Sequence, residues 1–427
     1  MYRRTRPPHT AHGTCEDLKI DETIWGPVVG RDLDGRPVAW AWTAHDPGAV
    51  RLDGLLALES AKNVRQALDD AHQVGLPQQN LVLGDRDGHI AWTVIGQVPR
   101  RVGLNDQLPH SWADGAYGWN GYLSAAEIPE IIDPPSGLLW TANNRVVGGD
   151  ALVKLGDGGY ADGVRASRIR DRLVARDRFV ESNLLAIQTD DRAAALDPWQ
   201  RLMLDAIAAN RRDKTVADMR PYVTAWGGRA EPGSVGYRLV REFRQSALTL
   251  VFDKLIGPVS ARLGGNALPL VLWWPIEQLL VQRPALLVPE PFKTWDDVLG
   301  AALDPVARSV DNTQGGLAAY EWGAVNRTGI HHPFTHSVPL LGYLTDPPDV
   351  PLAGDNMVPR VAVPGFGASE RLVVSPGHEA LGLLEMPVGQ SDNPLSPYYG
   401  AGQDAWVKGS PAPLLPGAPR WTLELMP

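Results

Sequence analysis

The stretch that decides the fold runs Gly118-Trp119-Asn120-Gly121-Tyr122-Leu123 and, after Pro129, continues as Asp133-Pro134-Pro135-Ser136-Gly137-Leu138-Leu139-Trp140-Thr141-Ala142-Asn143-Asn144. Its proline and glycine residues fix or free the backbone at several turns, so most of the stretch is predicted to be a loop. The apolar run 138–141 predicts a short buried strand that ends at the two asparagines. We infer that constrained backbone positions a side chain here.

Strand and helix patterns alternate on either side of this stretch. Period-two alternation predicts strands at 24–29, 37–43, 80–83, 89–96, 371–374, 381–386 and 421–425. Helical spacing predicts helices at 60–72, 165–178, 183–210 with a break near Asp197-Pro198, 239–256 and 274–281. Asp87-Gly88 predicts a hairpin between the third and fourth strands, and Ser60 is a candidate N-cap. The chain is therefore predicted to be α+β.

The quoted stretch resembles part of the β-chain of the penicillin acylase family of N-terminal nucleophile hydrolases. In that family a Trp-x-Gly, a proline, a turn and a glycine lead into a strand that ends in two asparagines. Further landmarks follow in family order: Thr23 to Val29, the hairpin 85–96 with Pro99 and Arg100, Gly163 to Ile169, Ile187 to Asp190, Trp322 to Pro333, Gly367 to Arg371, and Gly389 to Tyr399 with Gln403 and Trp406. The sequence departs from the family at Trp25 and Tyr398, where His is usual, and at Asp392, where Gly is usual.

The resemblance implies amide hydrolysis by the N-terminal Ser, Thr or Cys of the β-chain, whose own α-amino group accepts the proton. It implies that Asn143 is a side-chain oxyanion donor and that Arg165 orients Asn143. A preorganised donor of this kind contributes about 10²–10³ in rate. Taken alone, the residue types favour ordinary turn positions for Asn143 and Asn144.

The resemblance does not extend to the family's α-chain, its nucleophile or the first part of its β-chain. Met1 has no proton to give as a nucleophile, and Thr5, Thr10, Thr14 and Cys15 fall where the middle of the β-chain is expected. We therefore expect no nucleophile in this chain and a complementary chain that carries it. Calcium is common in the family, but its ligands fall largely in the missing part, so no metal or other cofactor is expected.

The resemblance implies the αββα four-layer sandwich of N-terminal nucleophile hydrolases, incomplete at its N-terminal side and carrying a mainly helical insertion. Residues 1–204 are predicted to form the first part of the sandwich, 205–335 the helical insertion, and 336–427 the return to the β core. An incomplete sandwich leaves strand edges unpaired, which is an aggregation hazard unless another chain covers them.

Composition and charge exclude several classes of protein. The 427 residues are 44% apolar and 21% charged, which is typical of folded domains, and a dispersed net charge of −9 argues against nucleic-acid binding. The single Cys15 excludes an internal disulfide and a zinc site of several thiolates. The sequence has no run of 18 consecutive apolar residues, so no membrane span is predicted. The family is usually periplasmic or secreted, whereas no signal peptide is recognised at Met1, so the localisation stays open.

Three other features carry alternative interpretations. The 15 tryptophans suit stacking on sugars, although core packing is favoured. His331-His332 is predicted to form a turn rather than a metal site, because no cysteine or regularly spaced carboxylates accompany it. Asp190-Asp191 suits either glycoside cleavage or, preferentially, a helix cap.

Three functions therefore stay open. The first is an acylase that cleaves the N-acyl bond of β-lactams, acyl-homoserine lactones or related small amides with the help of a complementary chain. The second is a truncated acylase homologue without activity. The third, from another class, is a Trp-rich carbohydrate-binding or glycosidase-like protein.

Overall fold

The computed structural model describes residues 2–6, 18–32, 34–103, 108–156, 159–210, 213–262 and 272–425. The backbone groups into two compact units. The first comprises Met1–Ala161 and Ile256–Ala267, and the second comprises Asp162–Leu255 and Leu268–Pro427. The three segments expected from the sequence, 1–204, 205–335 and 336–427, stay a prediction.

The strands of the described residues form small antiparallel sheets. Their bounds are β1 Tyr2–Arg6, β2 Leu18–Thr23, β3 Gly26–Arg31, β4 Pro37–Ala39, β5 Gln79–Gly84, β6 Ile90–Ile95, β7 Pro99–Val102, β8 Gly118–Tyr122, β9 Ile131–Ile132, β10 Ala362–Val363, β11 Phe366–Gly367, β12 Arg371–Val373 and β13 Leu383–Glu385. The first unit holds the sheets β1-β2-β3-β4, β5-β6-β9 and β7-β8, and the second holds β10-β11 and β12-β13.

The helices fall mainly in the second unit. Their bounds are α1 Asp53–Ser60, α2 Val64–Ala71, α3 Gly149–Leu155, α4 Val164–Val174, α5 Glu181–Gln188, α6 Asp197–Ala209, α7 Lys214–Ala225, α8 Val235–Leu255, α9 Gly257–Arg262, α10 Trp273–Gln282, α11 Trp295–Asp311, α12 Gly342–Thr345 and α13 Gln403–Lys408. Only α1, α2, α3 and α9 among them belong to the first unit. The structure is thus mixed α and β, as predicted.

The hairpin β5–β6 confirms the strongest strand prediction. Asp85 Oδ1 accepts the backbone N–H groups of Asp87 and His89 at 3.0 Å each, which closes the turn. Gly88 has a φ of 89°, a conformation that glycine adopts without strain. The other carboxylate oxygen of Asp85 accepts the N–H of Val64 at 3.1 Å and thereby ties the start of α2 to the hairpin.

Strand β6 carries the hydrophobic core of the sheet beneath the quoted stretch. Trp92, Val94 and Val98 are buried together, and the Trp92 indole N–H donates to Asn80 Oδ1 at 2.8 Å. The partly buried side chains that pack on this cluster are Leu123, Ile131, Leu139, Val146, Val147 and Leu155. Each apolar side chain of this kind contributes about 1.5–3 kcal/mol when fully buried. The loop around Asn143 therefore rests on β6.

Helix α8 is the centre of the second unit. Its buried residues occupy most of the helix circumference, and α6, α7, α10 and α11 pack against it. Helix α11 begins with a reciprocal cap: Thr294 Oγ1 accepts the N–H of Asp297 at 3.1 Å, and Asp297 Oδ2 accepts the N–H of Thr294 at 2.9 Å. Periodicity predicted helices at the positions of α6, α8 and α10, but it predicted no separate helix at α7 or α11.

Three local predictions were wrong. Helix α1 ends at Ser60, and Asn63 instead caps α2 by accepting the N–H of Gln66 at 2.9 Å. Residues 138–141 are half-buried but find no partner strand, so they stay irregular. Residues 421–425 are also irregular, because their apolar side chains are exposed and pack against no sheet.

A buried ion pair includes Arg371, which connects the Gly367 to Arg371 landmark with Trp406 of the last landmark. Arg371 and Glu385 lie opposite each other on β12 and β13, with Nη1 and Oε2 2.7 Å apart and both side chains almost fully buried. The same Nη1 donates to the Trp406 carbonyl at 2.7 Å, and the guanidinium lies 4.9 Å from the centre of the Trp406 ring. The charged residue of the Gly367–Arg371 landmark is therefore structural.

Removing one member of this pair should leave an unpaired buried charge. We expect Glu385→Leu to lower the free energy of unfolding by about 3–5 kcal/mol, and the double variant with Arg371→Leu to lose less than the sum of the two single variants. Urea unfolding of the four proteins measures this coupling.

An exposed ion pair provides the control. Lys408 and Asp404 lie 2.7 Å apart with side chains that are mostly exposed, so Asp404→Ala should change stability by no more than about 0.5 kcal/mol. Additive losses at Arg371 and Glu385 would contradict the buried-pair interpretation.

Candidate active site

Asn143 lies in a sharply turned loop of the first unit. Its φ is 62°, in the left-handed region that asparagine tolerates better than most residues. Its carbonyl accepts the N–H of Ala161 at 2.9 Å, which fixes the backbone on that side, and the residue is exposed. The turn therefore presents Asn143 at the surface of the unit.

The side chain of Asn144 forms hydrogen bonds to the backbone of the turn. Its Oδ1 accepts the N–H of Ala142 at 2.9 Å, and its Nδ2 donates to the carbonyl of Arg145 at 2.8 Å. These side chain to backbone bonds satisfy polar groups inside the turn. Asn144 thus builds the turn that holds Asn143.

Contacts on both sides hold the Asn143 loop against the rest of the first unit. Leu139 precedes the turn and Val146 follows it, and both pack on the Trp92 cluster. Upstream, Asp133 has a φ of 43° and accepts the N–H of Ile90 at 2.9 Å. Strained backbone of this kind persists only where the surroundings hold it in place. The loop is accordingly a preorganised support for one side chain.

Arg165 is the second residue of α4 in the second unit. It is half-buried; burial lowers the pKa of its guanidinium, and the nearby carboxylate of Asp162 opposes that effect. Asp162 Oδ1 also accepts the N–H of Val164 at 3.3 Å at the start of the helix. Because Asn143 belongs to the first unit and Arg165 to the second, their pairing stays a prediction.

Asp190 and Asp191 are buried members of ion pairs, and the predicted helix cap is wrong. Asp190 Oδ2 lies 2.6 Å from Arg168 Nη2, and Asp191 Oδ1 lies 2.6 Å from Arg229 Nη2. Burial raises the pKa of Asp191, although Arg229 opposes this. The following helical segments begin without a side-chain cap. These bonds also leave the carboxylate pair unsuited to attack on a sugar.

The His331-His332 segment is a hydrogen-bonded turn, as predicted. His331 Nδ1 lies 2.7 Å from Asp346 Oδ2, while Asp346 Oδ1 accepts the N–H of His332 and the hydroxyl of Thr335 at 2.8 Å each. These bonds, with that of His331 first, lower the pKa of Asp346 to about 2.

Tryptophans serve packing in both units. Six of them are buried: Trp92, Trp199, Trp226, Trp295, Trp322 and Trp406. The exposed Trp40 and Trp42 stack on each other, with ring centres 5.4 Å apart and planes inclined by 7°. Core packing and mutual stacking therefore account for these rings without a bound sugar.

The described residues offer no ligand set for a metal ion. Nowhere in these ranges do three or more His, Cys, Asp or Glu side chains cluster suitably. Calcium is common in the family that the sequence resembles, but the described residues hold no fitting set of ligands for it. Likewise, no helix of the described ranges is long and apolar enough to cross a bilayer.

The side chains considered as nucleophiles lie outside the part of the chain that the structure describes. Met1, Thr10, Thr14 and Cys15 lie outside the described residues, as does the side chain of Thr5. The absence of a nucleophile from this chain stays a prediction.

Comparison with known proteins decides the family. The family model described as penicillin amidase matches residues 3–418, nearly the whole chain. The chain belongs to the penicillin amidase family. The landmarks recognised in the sequence are therefore penicillin amidase landmarks.

Individual penicillin amidase relatives agree with this assignment. Penicillin acylase 2 proenzyme of Pseudomonas sp. (strain SE83) is 28% identical over 421 residues, which are 94% of this chain and 52% of that protein. Acyl-homoserine lactone acylase QuiP of Pseudomonas putida is 29% identical over 394 residues, which are 85% of this chain and 47% of that protein. The chain therefore spans about half the length of these curated relatives.

A solved penicillin amidase structure supports the fold. A thermostable penicillin G acylase from Alcaligenes faecalis matches with a TM-score of 0.61 and 18% identity, over 100% of this chain and 82% of that one. At this identity the match shows a similar fold, that of N-terminal nucleophile hydrolases, and nothing about the substrate.

Sequence patterns missed the buried charges of α8. Asp355 is fully buried, accepts the hydroxyl of Tyr237 at 2.5 Å, and pairs with Arg241 through Nη2 and Oδ1 at 3.2 Å. Helical periodicity assigns charged residues to the solvent face, so it gives no signal for such positions. A cluster of arginines on a mainly apolar helix was the available clue.

The left-handed turn at Asn143 predicts an unusual order of stability. Asn143→Ala should lower the free energy of unfolding by about 1 kcal/mol more than Asn143→Gly, because glycine adopts a positive φ without strain. Urea titration measures the difference.

The exposed Asn120 on β8 is the matched control, since its φ is not positive. At this position Asn120→Gly should lower the free energy of unfolding more than Asn120→Ala does, because glycine weakens strands. A greater loss for Asn143→Gly than for Asn143→Ala would contradict a turn that requires positive φ.

The lowered pKa of Asp346 predicts a pH dependence. Its carboxylate stabilises the folded state fully above its ordinary pKa of 3.8, and this stabilisation should disappear as the pH falls towards about 2. Asp346→Asn should therefore be less stable than the unchanged chain at pH 6, and the gap should shrink between pH 4 and pH 2. Urea midpoints over this range test it, and a gap that is constant with pH would contradict the role of the charged form.

Proposed function

We propose that the chain forms part of a penicillin acylase-like amide hydrolase that removes the acyl group from a small N-acyl amide. The family match over residues 3–418 carries this proposal. Support for the substrate class comes from the names of the relatives, a penicillin acylase and acyl-homoserine lactone acylases. Both β-lactams and acyl-homoserine lactones are therefore candidate substrates.

The proposed reaction uses a nucleophile on the polypeptide that corresponds to the uncovered half of the relatives. A Ser, Thr or Cys there attacks the amide carbonyl carbon, and its α-amino group takes the proton. The carbonyl oxygen becomes an oxyanion, the C–N bond then breaks, and the amine leaves with that proton. Water finally hydrolyses the acyl-enzyme and releases the carboxylic acid.

The proposed role of Asn143 is to donate a hydrogen bond from Nδ2 to the oxyanion. The fixed left-handed turn and the exposure of Asn143 support this role, since donors that need no rearrangement stabilise a transition state best. Arg165 is proposed to orient Asn143. In support, Arg165 lies in the Gly163 to Ile169 landmark, within the range that the family model matches.

We further propose that the described sheets are parts of an incomplete αββα sandwich that the complementary polypeptide completes. Exposed apolar side chains in the strands and turns of the first unit support this: Ile24 is 81% exposed, while Trp40 and Val82 are each 52% exposed. Among the described strands, β5 pairs with β6 and with no strand on its other side. Exposed edges with apolar side chains normally pair or aggregate.

An isosteric substitution tests the role of Asn143. Tagged protein is purified from the native host with everything that co-elutes, the intact masses are recorded, and a chromogenic N-acyl amide is assayed on the same fractions. We expect a co-eluting chain with an N-terminal Ser, Thr or Cys, and a fall in turnover of about 10²–10³ for Asn143→Asp, which keeps the shape but removes the N–H donors.

Asn120→Asp makes the same change at an exposed position of the same unit and should retain turnover. Turnover that survives in Asn143→Asp would overturn the assignment of the donor. A preparation without turnover and without a nucleophile chain would instead identify an inactive homologue.

A further inference from the structure

Two arginines one turn apart on α8 have contrasting surroundings. Arg241 pairs with the buried carboxylate of Asp355, and its guanidinium lies 4.8 Å from the centre of the Trp322 ring. The Trp322 indole N–H donates to the carbonyl of Gly354 at 2.9 Å. This first arginine and its tryptophan therefore have the partners that buried donors require.

The buried positive charge of Arg244 is less well compensated than that of Arg241. Its side chain is only 5% exposed, yet its nearest carboxylate contact joins Nη2 to Glu277 Oε2 at 3.5 Å, and Nη1 meets only the sulfur of Met357 at 3.7 Å. Charge-assisted hydrogen bonds are normally about 2.7–2.9 Å long. The Nε of Arg244 is buried and has no hydrogen-bond partner among the described residues. Burial lowers the pKa of Arg244, although Glu277 and Asp162 oppose this.

Two further donors without acceptors border the same guanidinium. The centres of the Trp273 and Trp199 rings lie 4.9 Å and 5.7 Å from its central carbon. Within the described part of the chain, the indole N–H of each is buried and has no acceptor. Trp199 is fully buried, whereas Trp273 and Glu277 on α10 are half-buried, so the cluster is partly accessible at α10.

The unpartnered atoms of this cluster are all donors, so they require an acceptor with several lone pairs. A water molecule would accept at most two of these bonds and would need acceptors for its own hydrogens. A small oxyanion supplies several acceptors and also balances the buried positive charge. We propose that Arg244, Trp199 and Trp273 form a buried site for a small oxyanion, either a carboxylate or an inorganic phosphate.

Thermal unfolding of the full chain in acetate and in phosphate, at ionic strength held constant with potassium chloride, tests this site. We expect Tm to rise with the logarithm of the anion concentration above the Kd, by about 5 °C at 100 times the Kd of the bound anion. Trp273→Phe keeps a ring in place but removes the N–H donor. It should weaken the apparent affinity at least about tenfold.

Trp322→Phe is the matched control, because it removes an indole N–H beside Arg241 that already has an acceptor. It should lower Tm without anion and leave the anion-dependent rise unchanged. A rise with acetate alone assigns a carboxylate site, and a rise with phosphate alone assigns a phosphate site.

A Tm that rises with neither anion beyond the rise in potassium chloride alone would overturn the proposal. An equal rise in the unchanged chain and in Trp273→Phe would overturn it too. Neither result depends on acylase activity, so the outcome is independent of the proposed function.

Discussion

The packing of the Asn143 loop on the Trp92 cluster is the constraint on which the candidate site depends. A positive φ at a residue with a side chain is strained, and it persists only when neighbouring contacts outweigh the strain. Here apolar contacts precede and follow the turn, and the bond from Ala161 closes it. Precision at the exposed amide thus originates in an apolar core beneath it, not in the loop itself.

The second unit is organised by charges that are buried around helices and short strands. Asp355 pairs with Arg241, Glu385 pairs with Arg371, and Asp190 pairs with Arg168. Pairs of this kind add little net stability over apolar substitutes, but each is costly to break once it is formed. They therefore fix how α8, β12 and α4 are placed within the unit. Arg244 differs from these three arginines in that its carboxylate contact, with Glu277, is as long as 3.5 Å.

Local patterns predicted the elements whose stability is local. The Asp-Gly hairpin at 85–89 and helices α6, α8 and α10 follow directly from turn chemistry and periodicity. The failures have different causes. Residues 138–141 have no partner strand among the described residues, a local cap at Asn63 replaces the one expected at Ser60, and Asp190 pairs with Arg168 on α4. Even the family landmarks, which led to Asn143, carried no information about what holds it or about the buried charges.

The most direct test of the proposed function is a crystal structure of the native assembly with a phosphonate analogue of an N-acyl amide bound to its nucleophile. The charged phosphonate oxygen occupies the position of the oxyanion. Our proposal predicts that Asn143 Nδ2 lies about 2.7–3.1 Å from that oxygen. A phosphonate oxygen held by other donors, with Asn143 turned away from it, would contradict the proposal that this chain supplies the side-chain half of the oxyanion hole.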